Sequence, residues 1–162
     1  MSLLGGEGRV FPSISLVLAN APDKVIAAAD AALQRIATRY EILCSGAPQR
    51  LIDQFQWLWS ARDFRSALQA ATGDLVIIAS AAANFSELAL LVPWTAECSL
   101  VYSTEQRGWW NLWHSATPHI AVIRRGELRK LLAMSNTRCD LGELLAAARR
   151  VGVSMTAPRM AA

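Results

Sequence analysis

Apolar residues along the chain alternate between short continuous runs and longer stretches with helical spacing. Continuous runs of four or five apolar or small residues, bounded by proline, glycine or asparagine, are typical of buried strands. The clearest is Leu75–Ala79, with the sequence LVIIA, which predicts a strand buried on both faces. The predicted strands are Ile14–Leu18, Glu41–Cys44, Gln56–Trp59, Leu75–Ala79, Ser99–Tyr102, Ile120–Ile123 and Val153–Met155.

The stretches between these runs carry apolar residues at helical spacing and have recognisable ends. Pro22 suits the first position of a helix, and Asp23 is favourable beside its positive end. Asn84 with Glu87 three residues later is typical of a helix N-cap, and Gly73 and Gly152 stop the helices before them. The predicted helices are Pro22–Tyr40, Gln49–Phe55, Arg62–Thr72, Asn84–Leu91, Glu127–Met134 and Leu141–Val151.

Strands that alternate with helices of this length predict an α/β domain, Rossmann-like, with a mostly parallel sheet and helices on both faces. With 162 residues, the chain suits one compact domain. We assign residues 13–162 to it and interpret residues 1–12, which contain three glycines, as a flexible lead-in.

Ligands of such sheets bind in the crevice at the carboxyl ends of the strands. In this sequence the residues at those ends are polar or small and carry no acid. The residues predicted to line a ligand crevice are Asn20, Ser45, Gly46, Ser80 and Asn84.

The composition excludes several classes of protein. Apolar residues make up 53% and charged residues 18%, but the longest apolar stretches are too short to span a bilayer. The start of the chain has no basic region followed by an apolar one, so no secretion signal is predicted. Cys44, Cys98 and Cys139 are odd in number and have no paired spacing, which favours a reducing cytoplasm. No metal-ligand spacing or cofactor motif is found, so neither a metal nor a cofactor is predicted.

The net charge of +3 is not concentrated on one stripe of the chain. Basic residues alternating with aromatic ones would be expected of a nucleic-acid binder, and the arginines here are spread over the predicted helices. Arg124, Arg125 and Arg129 form the one tight basic cluster, which we interpret as a solvated helix start. The sequence therefore predicts no nucleic-acid partner.

Six segments together resemble family-two glycosyltransferases of the GT-A fold, in the branch similar to dolichyl-phosphate-mannose synthase. PSISLVLAN resembles the opening strand of that family, and RYEILCSG stands where its second strand ends in aspartates. The stretch Ala67–Ile78 is similar to the run through Gly-Asp into the fourth strand, and Glu87-Leu88 resembles the Pro-Glu-Leu that follows. AVIRRGELRKLL and LGELLAAARRVGVSM resemble the closing segment. The resemblance covers about residues 12–157 and implies a GT-A-like domain.

The resemblance implies sugar transfer from a nucleotide-activated donor, with a divalent metal held by an Asp-x-Asp pair to stabilise the leaving diphosphate. The matching triplet here is Ser80-Ala81-Ala82, and the second-strand aspartates are replaced near Ser45 and Gly46. Asp74 lies at the start of its strand, away from the crevice, and is assigned a structural role. We therefore expect a degenerate relative without a catalytic metal.

No catalytic residue is assigned from the sequence. A transferase also needs a base near its acceptor, and a base requires a partner and a geometry that the sequence does not supply. The residues considered for this role are Glu97, Glu105, His114, His119 and Asp140.

Tryptophans are concentrated in the least regular region of the sequence, at Trp109, Trp110 and Trp113. They have three interpretations: a cover over the open sheet face, a contact with a protein partner, or a stacking platform for a sugar or base. We list them as interface candidates, with either another protein or a second copy of the chain as partner. Trp57 and Trp59, at alternate positions, are predicted to share one face of the third strand.

The sequence supports three functions. The first is a non-catalytic glycosyltransferase-like domain that acts through protein contact, as an oligomer or with another protein, or through weak binding of a nucleotide-type ligand. The second is an active, metal-independent glycosyltransferase with a nucleotide-sugar donor. The third is a Rossmann-like module that binds a small molecule, because folds of this class carry many unrelated functions.

Overall fold

The computed structural model describes residues 13–81, 83–104, 118–134 and 140–158. The predicted lead-in, residues 1–12, lies outside them. The strands are β1 (Ile14–Ala19), β2 (Tyr40–Ser45), β3 (Leu58–Ala61), β4 (Leu75–Ala79), β5 (Leu100–Thr104), β6 (Pro118–Arg124) and β7 (Met155–Thr156). The helices are α1 (Asp23–Ile36), α2 (Gln49–Gln54), α3 (Phe64–Ala70), α4 (Leu88–Leu91), α5 (Arg125–Met134) and α6 (Leu141–Arg150). Two 3₁₀ segments, Phe85–Glu87 and Val92–Ala96, flank α4.

The seven strands form one sheet in the order β3-β2-β1-β4-β6-β5-β7. β1 is parallel to β2 and β4, β2 is parallel to β3, and β5 is parallel to β7. β6 runs antiparallel to both of its neighbours, β4 and β5. The sheet is therefore mixed but mostly parallel, which confirms the predicted α/β class.

Helices cover both faces of the sheet, as predicted. On one face, buried residues of β1, β2 and β4 pack with α1, α2 and α4. On the other face, residues of the same strands and β6 pack with α3, α5 and α6. Each helix buries one apolar stripe, such as Ile26, Ala29 and Leu33 of α1, because its apolar residues recur at helical spacing.

β4 occupies the centre of the sheet and is buried along its whole length. Ile77 pairs with Leu16 of β1 on one side and with Val122 of β6 on the other, and all three are fully buried. A strand covered on both faces needs apolar residues at every position, so the LVIIA run is confirmed as the central strand.

The turn before β4 packs against the main chain of β1. A Cβ placed on Gly73 would lie 2.5 Å from the nitrogen of Ser15 and 2.7 Å from the carbonyl carbon of Ile14. The Gly73 N–H donates to Ser15 Oγ at 2.7 Å, and Ser15 Oγ donates to Glu41 Oε1 at 2.6 Å. The same Glu41 oxygen accepts from the N–H and hydroxyl of Thr72 at 2.9 and 2.8 Å. A glycine is thus required here by close backbone approach.

Several predicted boundaries differ from the structure. The first helix was extended to Tyr40, but α1 ends at Ile36 and Tyr40 begins β2, where its hydroxyl donates to Asp30 at 2.6 Å. The third strand was placed at Gln56–Trp59, but β3 begins at Leu58. Trp57 therefore precedes the strand instead of sharing a face with Trp59, and its carbonyl accepts from Ile42 N at 2.8 Å. In each case tertiary pairing decides where the element begins.

The ends of the chain's last elements also shift by a residue or two. The helix predicted from Asn84 starts as a 3₁₀ turn, and α4 itself has four residues. The last strand was predicted at Val153–Met155, whereas β7 is Met155–Thr156. Within the described residues, no helix is both long and apolar enough to cross a membrane.

Candidate functional site

Three parallel strands end at the same edge of the sheet. Ala19 of β1 is in register with Ser45 of β2, and Leu18 is in register with Ala79 of β4. Asn20, Gly46 and Ser80 are the next residues of each chain segment. The structure thus brings these three predicted residues to one edge. We call this edge the carboxyl-end crevice (Asn20, Gly46, Ser80 and, from β6, His119), after the place where ligands bind in sheets of this class.

Asn20 and Gly46 form the first half of the carboxyl-end crevice. Asn20 has a positive φ of 45°, and its N–H donates to Ser45 O at 3.1 Å. Gly46 has a φ of 77°, and a Cβ there would lie 2.6 Å from Asn20 Oδ1. Asparagine and glycine are the residues that adopt such backbone conformations most readily. The loops after β1 and β2 are therefore held against each other by two residues that tolerate a positive φ.

Ser45 and the neighbouring Cys44 are buried under these loops. Ser45 contributes its main-chain carbonyl, which accepts from Asn20 N and from Cys44 Sγ at 3.6 Å. Burial raises the pKa of the Cys44 thiol, and a hydrogen bond from the Ala21 N–H acts in the opposite direction. A protonated, buried thiol is a poor nucleophile, so Cys44 has a packing role beside the crevice.

Ser80 and His119 form the second half of the carboxyl-end crevice. Ser80 Oγ lies 3.3 Å from His119 Nδ1, and Ser80 N donates to His119 O at 2.9 Å. Both residues are half-buried. His119 stands opposite Ser80 because β6 runs antiparallel to β4, with Ala79 paired to Ile120.

Sequence reasoning considered His119 as a base but did not place it in the crevice. The missing information was the direction of β6, since a parallel strand would have brought Arg124 to this edge and His119 to the opposite one. The available signal was the position of His119 directly before an apolar run, which is informative only once the direction of that strand is known.

Asn84 lies beyond Ser80 and is occupied in capping. Its Oδ1 accepts from Ser86 N at 3.1 Å and from Ser86 Oγ at 2.7 Å, which opens the 3₁₀ turn Phe85–Glu87. Glu87 in turn accepts a short hydrogen bond from the buried hydroxyl of Ser103, at the end of β5. This acid is fixed on the same side of the sheet as the crevice, and the sequence analysis did not include it among the site residues.

A charged pair joins α1 and α2, the two helices that follow β1 and β2. Arg50 of α2 donates to both carboxylate oxygens of Asp23 of α1, at 2.7 and 3.2 Å. Both side chains are more than half exposed, at 68% and 51%, so the pair adds little to stability. It does link the two helices that follow the Asn20 and Gly46 loops.

The carboxylates that a metal site would need are placed elsewhere. Asp74 precedes β4 at the opposite end of the strand from Ser80, 3.9 Å from Arg125. Within the described part of the chain, no three His, Cys, Asp or Glu residues cluster as metal ligands would. Asn20, Ser80 and His119 instead offer neutral hydrogen-bonding groups and one imidazole, which suit a polar ligand.

The remaining candidates are distributed over other parts of the molecule. Asp140 caps α6 by accepting from Glu143 N at 2.8 Å, a structural role. Glu97 follows the second 3₁₀ segment and is exposed. Several candidates lie outside the described residues: Ala82, Glu105, Trp109, Trp110, Trp113, His114 and Cys139.

No family model matches the sequence, and no curated protein does. Solved structures do match. The 2-C-methyl-D-erythritol 4-phosphate cytidylyltransferase of Thermus thermophilus is 14% identical, with a TM-score of 0.59 over 90% of this chain and 88% of that one. The 4-diphosphocytidyl-2C-methyl-D-erythritol synthase of Anaerococcus prevotii is 9% identical, with a TM-score of 0.62 over 90% and 87%.

A glycosyltransferase has a similar structure over part of its length. GlyE of Streptococcus pneumoniae is 12% identical, with a TM-score of 0.53, over 91% of this chain but 45% of GlyE. Identities this low show the fold and leave the chemistry to the site itself. The chain thus has the GT-A-like α/β fold of nucleotidyl- and glycosyltransferases.

Proposed function

We propose that this domain binds a nucleotide-type ligand, a nucleoside diphosphate or its sugar conjugate, in the carboxyl-end crevice without transferring a group. The observation that carries the proposal is the end of β4, where Ser80 contacts His119 and neither Ser80 nor Ala81 is an acid. The structural neighbours, by their names, transfer a cytidylyl or a glycosyl group. We therefore propose a ligand of the nucleotide class for this domain but no metal-assisted transfer of a group.

The groups at the crevice fit such a ligand. Asn20, Ser80, His119 and the main chain around Gly46 supply polar groups that can hydrogen-bond to such a ligand. A metal held by two carboxylates would stabilise a leaving diphosphate far better. Binding without that metal is therefore expected to be weak and to leave the ligand intact.

The direct test is calorimetric titration with UDP, CDP, GDP and ADP, each with EDTA and with Mn²⁺. We expect saturable binding of at least one nucleotide, unchanged by EDTA. Ala81→Trp should abolish it, because Ala81 is exposed beside Ser80 and the indole would fill the crevice. Ala146→Trp, exposed on α6 at the other face, is the matched control. Absence of binding by all four nucleotides would overturn the proposal.

A second function, metal-independent glycosyl transfer, is favoured by the same hydrogen-bonded pair. His119 beside Ser80 gives the crevice an imidazole, the side chain that most often serves in general acid–base chemistry. Hydrolysis or transfer of a nucleotide sugar that survives EDTA and is lost in His119→Gln would support it. Turnover that EDTA abolishes would overturn both functions.

Contact with a protein partner through Trp109, Trp110 and Trp113 stays a prediction from the sequence. These three residues lie between β5 and β6 in the chain. Replacing Trp109 and Trp113 with Ser and measuring mass in solution tests it. An unchanged mass with a large loss of thermal stability would assign the indoles to the core of the single chain.

A further inference from the structure

A second cleft lies at the opposite edge of the sheet from the carboxyl-end crevice. Its volume is about 690 Å³, within the range of small-molecule sites. It is bounded by the start of β4, the second 3₁₀ segment and the start of α5. The lining residues are Asp74, Leu75, Val92, Pro93, Thr95, Ala96, Arg124, Arg125 and Gly126. We call it the Arg124–Arg125 cleft.

Main-chain carbonyls hold both guanidinium groups of this cleft in place. Arg124 Nη2 donates to Thr95 O at 2.5 Å, and Arg125 Nη1 donates to Thr72 O. A carbonyl satisfies one N–H of a guanidinium but leaves its charge and its other donors available. Both arginines are thus positioned before any ligand arrives, which lowers the entropy lost on binding.

The positive charge of the cleft is partly compensated. Asp74 is the acid among the lining residues, and its carboxylate lies 3.9 Å from Arg125 with its side chain 70% exposed. An exposed pair at that distance is weak. Glu127, in the first turn of α5, forms its ion pair with Lys130 at 3.4 Å. Two guanidiniums facing one carboxylate leave a net positive charge in the cleft.

We propose that the Arg124–Arg125 cleft binds a small organic phosphate, a monoester whose carbon group lies against Leu75, Val92 and Pro93. The fork of donors on arginine matches phosphate oxygens in geometry and charge. The apolar wall gives an ester an advantage over the free ion, because carbon surface leaves water on binding. The sequence alone favours a solvated helix start for Arg124 and Arg125, and the proposal assigns them a ligand instead.

The test is an NMR titration of the ¹⁵N-labelled protein in chloride buffer of fixed ionic strength, with phenyl phosphate and with inorganic phosphate. We expect saturable shifts at the amides of Leu75, Thr95 and Gly126, with phenyl phosphate binding about tenfold more tightly than inorganic phosphate. Equal affinities would overturn the assignment to an ester. Shifts at Asn20, Gly46 and Ser80 report the other crevice, so failure of one site leaves the other tested.

Matched variants separate the cleft from general charge. Arg124→Gln should weaken phenyl phosphate binding about tenfold, whereas Arg129→Gln, exposed on α5 outside the lining, should leave it within about twofold. Equal weakening by both would show nonspecific attraction and overturn the proposal. If Arg124→Gln does not fold, Ala96→Phe fills the cleft from an exposed position, with Ala146→Phe as its control. Undiminished binding by Ala96→Phe would also overturn it.

Discussion

At the amino-end edge of the sheet, the turn before β4 is tied to β1 and β2 through Gly73, Ser15 and Glu41 by short hydrogen bonds and direct backbone contact. At the carboxyl-end edge, Asn20 and Gly46 both have positive φ angles, and the Asn20 side chain lies against Gly46. At the same edge, Ser80 Oγ lies 3.3 Å from His119 Nδ1. The first edge is close-packed main chain, and the second presents half-buried polar groups.

This difference between the two edges affects how the sequence resemblance is interpreted. The Gly-Asp segment that resembles the run into the fourth strand lies at the amino-end edge, where Gly73 is needed for packing. The triplet that the resemblance aligns with an Asp-x-Asp pair begins at Ser80, at the carboxyl-end edge. A fold constrains the first edge in any protein that uses it, whereas the second is free to change with function. Similarity at Gly73 therefore reports fold and carries no information on activity.

The largest expected effect comes from adding one methyl group at the amino-end edge. Gly73→Ala should lower the free energy of unfolding by about 3 kcal/mol, because the atoms it meets are main-chain atoms that cannot move aside. Gly126→Ala is the control, since its Cβ would meet nothing within 4 Å and alanine favours a helix by about 0.5–1 kcal/mol. Urea denaturation of both variants measures the contrast; equal stabilities would contradict the close approach at Gly73.

Removing the hydroxyl of Ser15 should have the next largest effect. Ser15 is fully buried and links the Gly73 N–H to Glu41. Ser15→Ala leaves that N–H without its acceptor, which should cost about 2 kcal/mol. Ser66→Ala is the control, because it keeps the hydrogen bond from its main-chain N–H to Asp63 and loses only a side-chain hydrogen bond to that exposed cap. If Ser15→Ala and Ser66→Ala unfold at the same temperature, the hydrogen bonds of Ser15 to Gly73 and Glu41 contribute nothing to stability.

At the carboxyl-end edge, substitution should be less costly because a side chain can move. Gly46→Ala combines an unfavourable positive φ with contact to Asn20 Oδ1, and we expect a loss of about 1.5 kcal/mol. Asn20→Gly removes the contacting atom and suits its own φ of 45°. The double variant should therefore recover part of the loss, and a thermodynamic cycle measures that coupling. Strict additivity would show that the two loops act independently.

Much of the fold was predictable because it depends on local pattern. The LVIIA run of β4 and the apolar stripes of α1 and α6 indicate burial without reference to the rest of the chain. Boundaries were less predictable, since Tyr40 and Leu58 are placed in strands by pairing with β1 and β2. The antiparallel direction of β6 is also a property of the assembled sheet and has no local sign.

The sequence predicts where the candidate site residues lie in the sheet, but it does not predict which residues they contact. Asn20, Gly46 and Ser80 follow strand ends, so sheet topology alone places them at one edge. His119 and the Ser103–Glu87 contact depend on the order and direction of β5 and β6. Likewise Arg124 and Arg125 indicate only a solvated helix start until Thr95 and Thr72 are seen to accept from them. Contacts between distant segments are the information that one sequence lacks.

The smallest expected effect concerns pH at the carboxyl-end edge. Burial raises the pKa of the Cys44 thiol, so the folded state holds its proton to higher pH than the unfolded chain does. Its contribution to stability is therefore complete below the unfolded pKa of about 8.5 and is lost as pH rises above it. The loss cannot exceed about 1.4 kcal/mol per pH unit for one proton.

Urea denaturation between pH 7.5 and 9.5 measures this slope, a range chosen to stay below the titration of Tyr40, whose pKa is also raised by burial. Cys44→Ala should remove the decrease of stability with pH, whereas Cys98→Ala, at a half-buried position, should leave that decrease unchanged. Iodoacetamide at pH 8.5 gives a second readout, because Cys44 should react much more slowly than Cys98 while the domain is folded. Equal rates would place the Cys44 thiol within reach of solvent and make the crevice a more open, more reactive edge than its buried strand ends indicate.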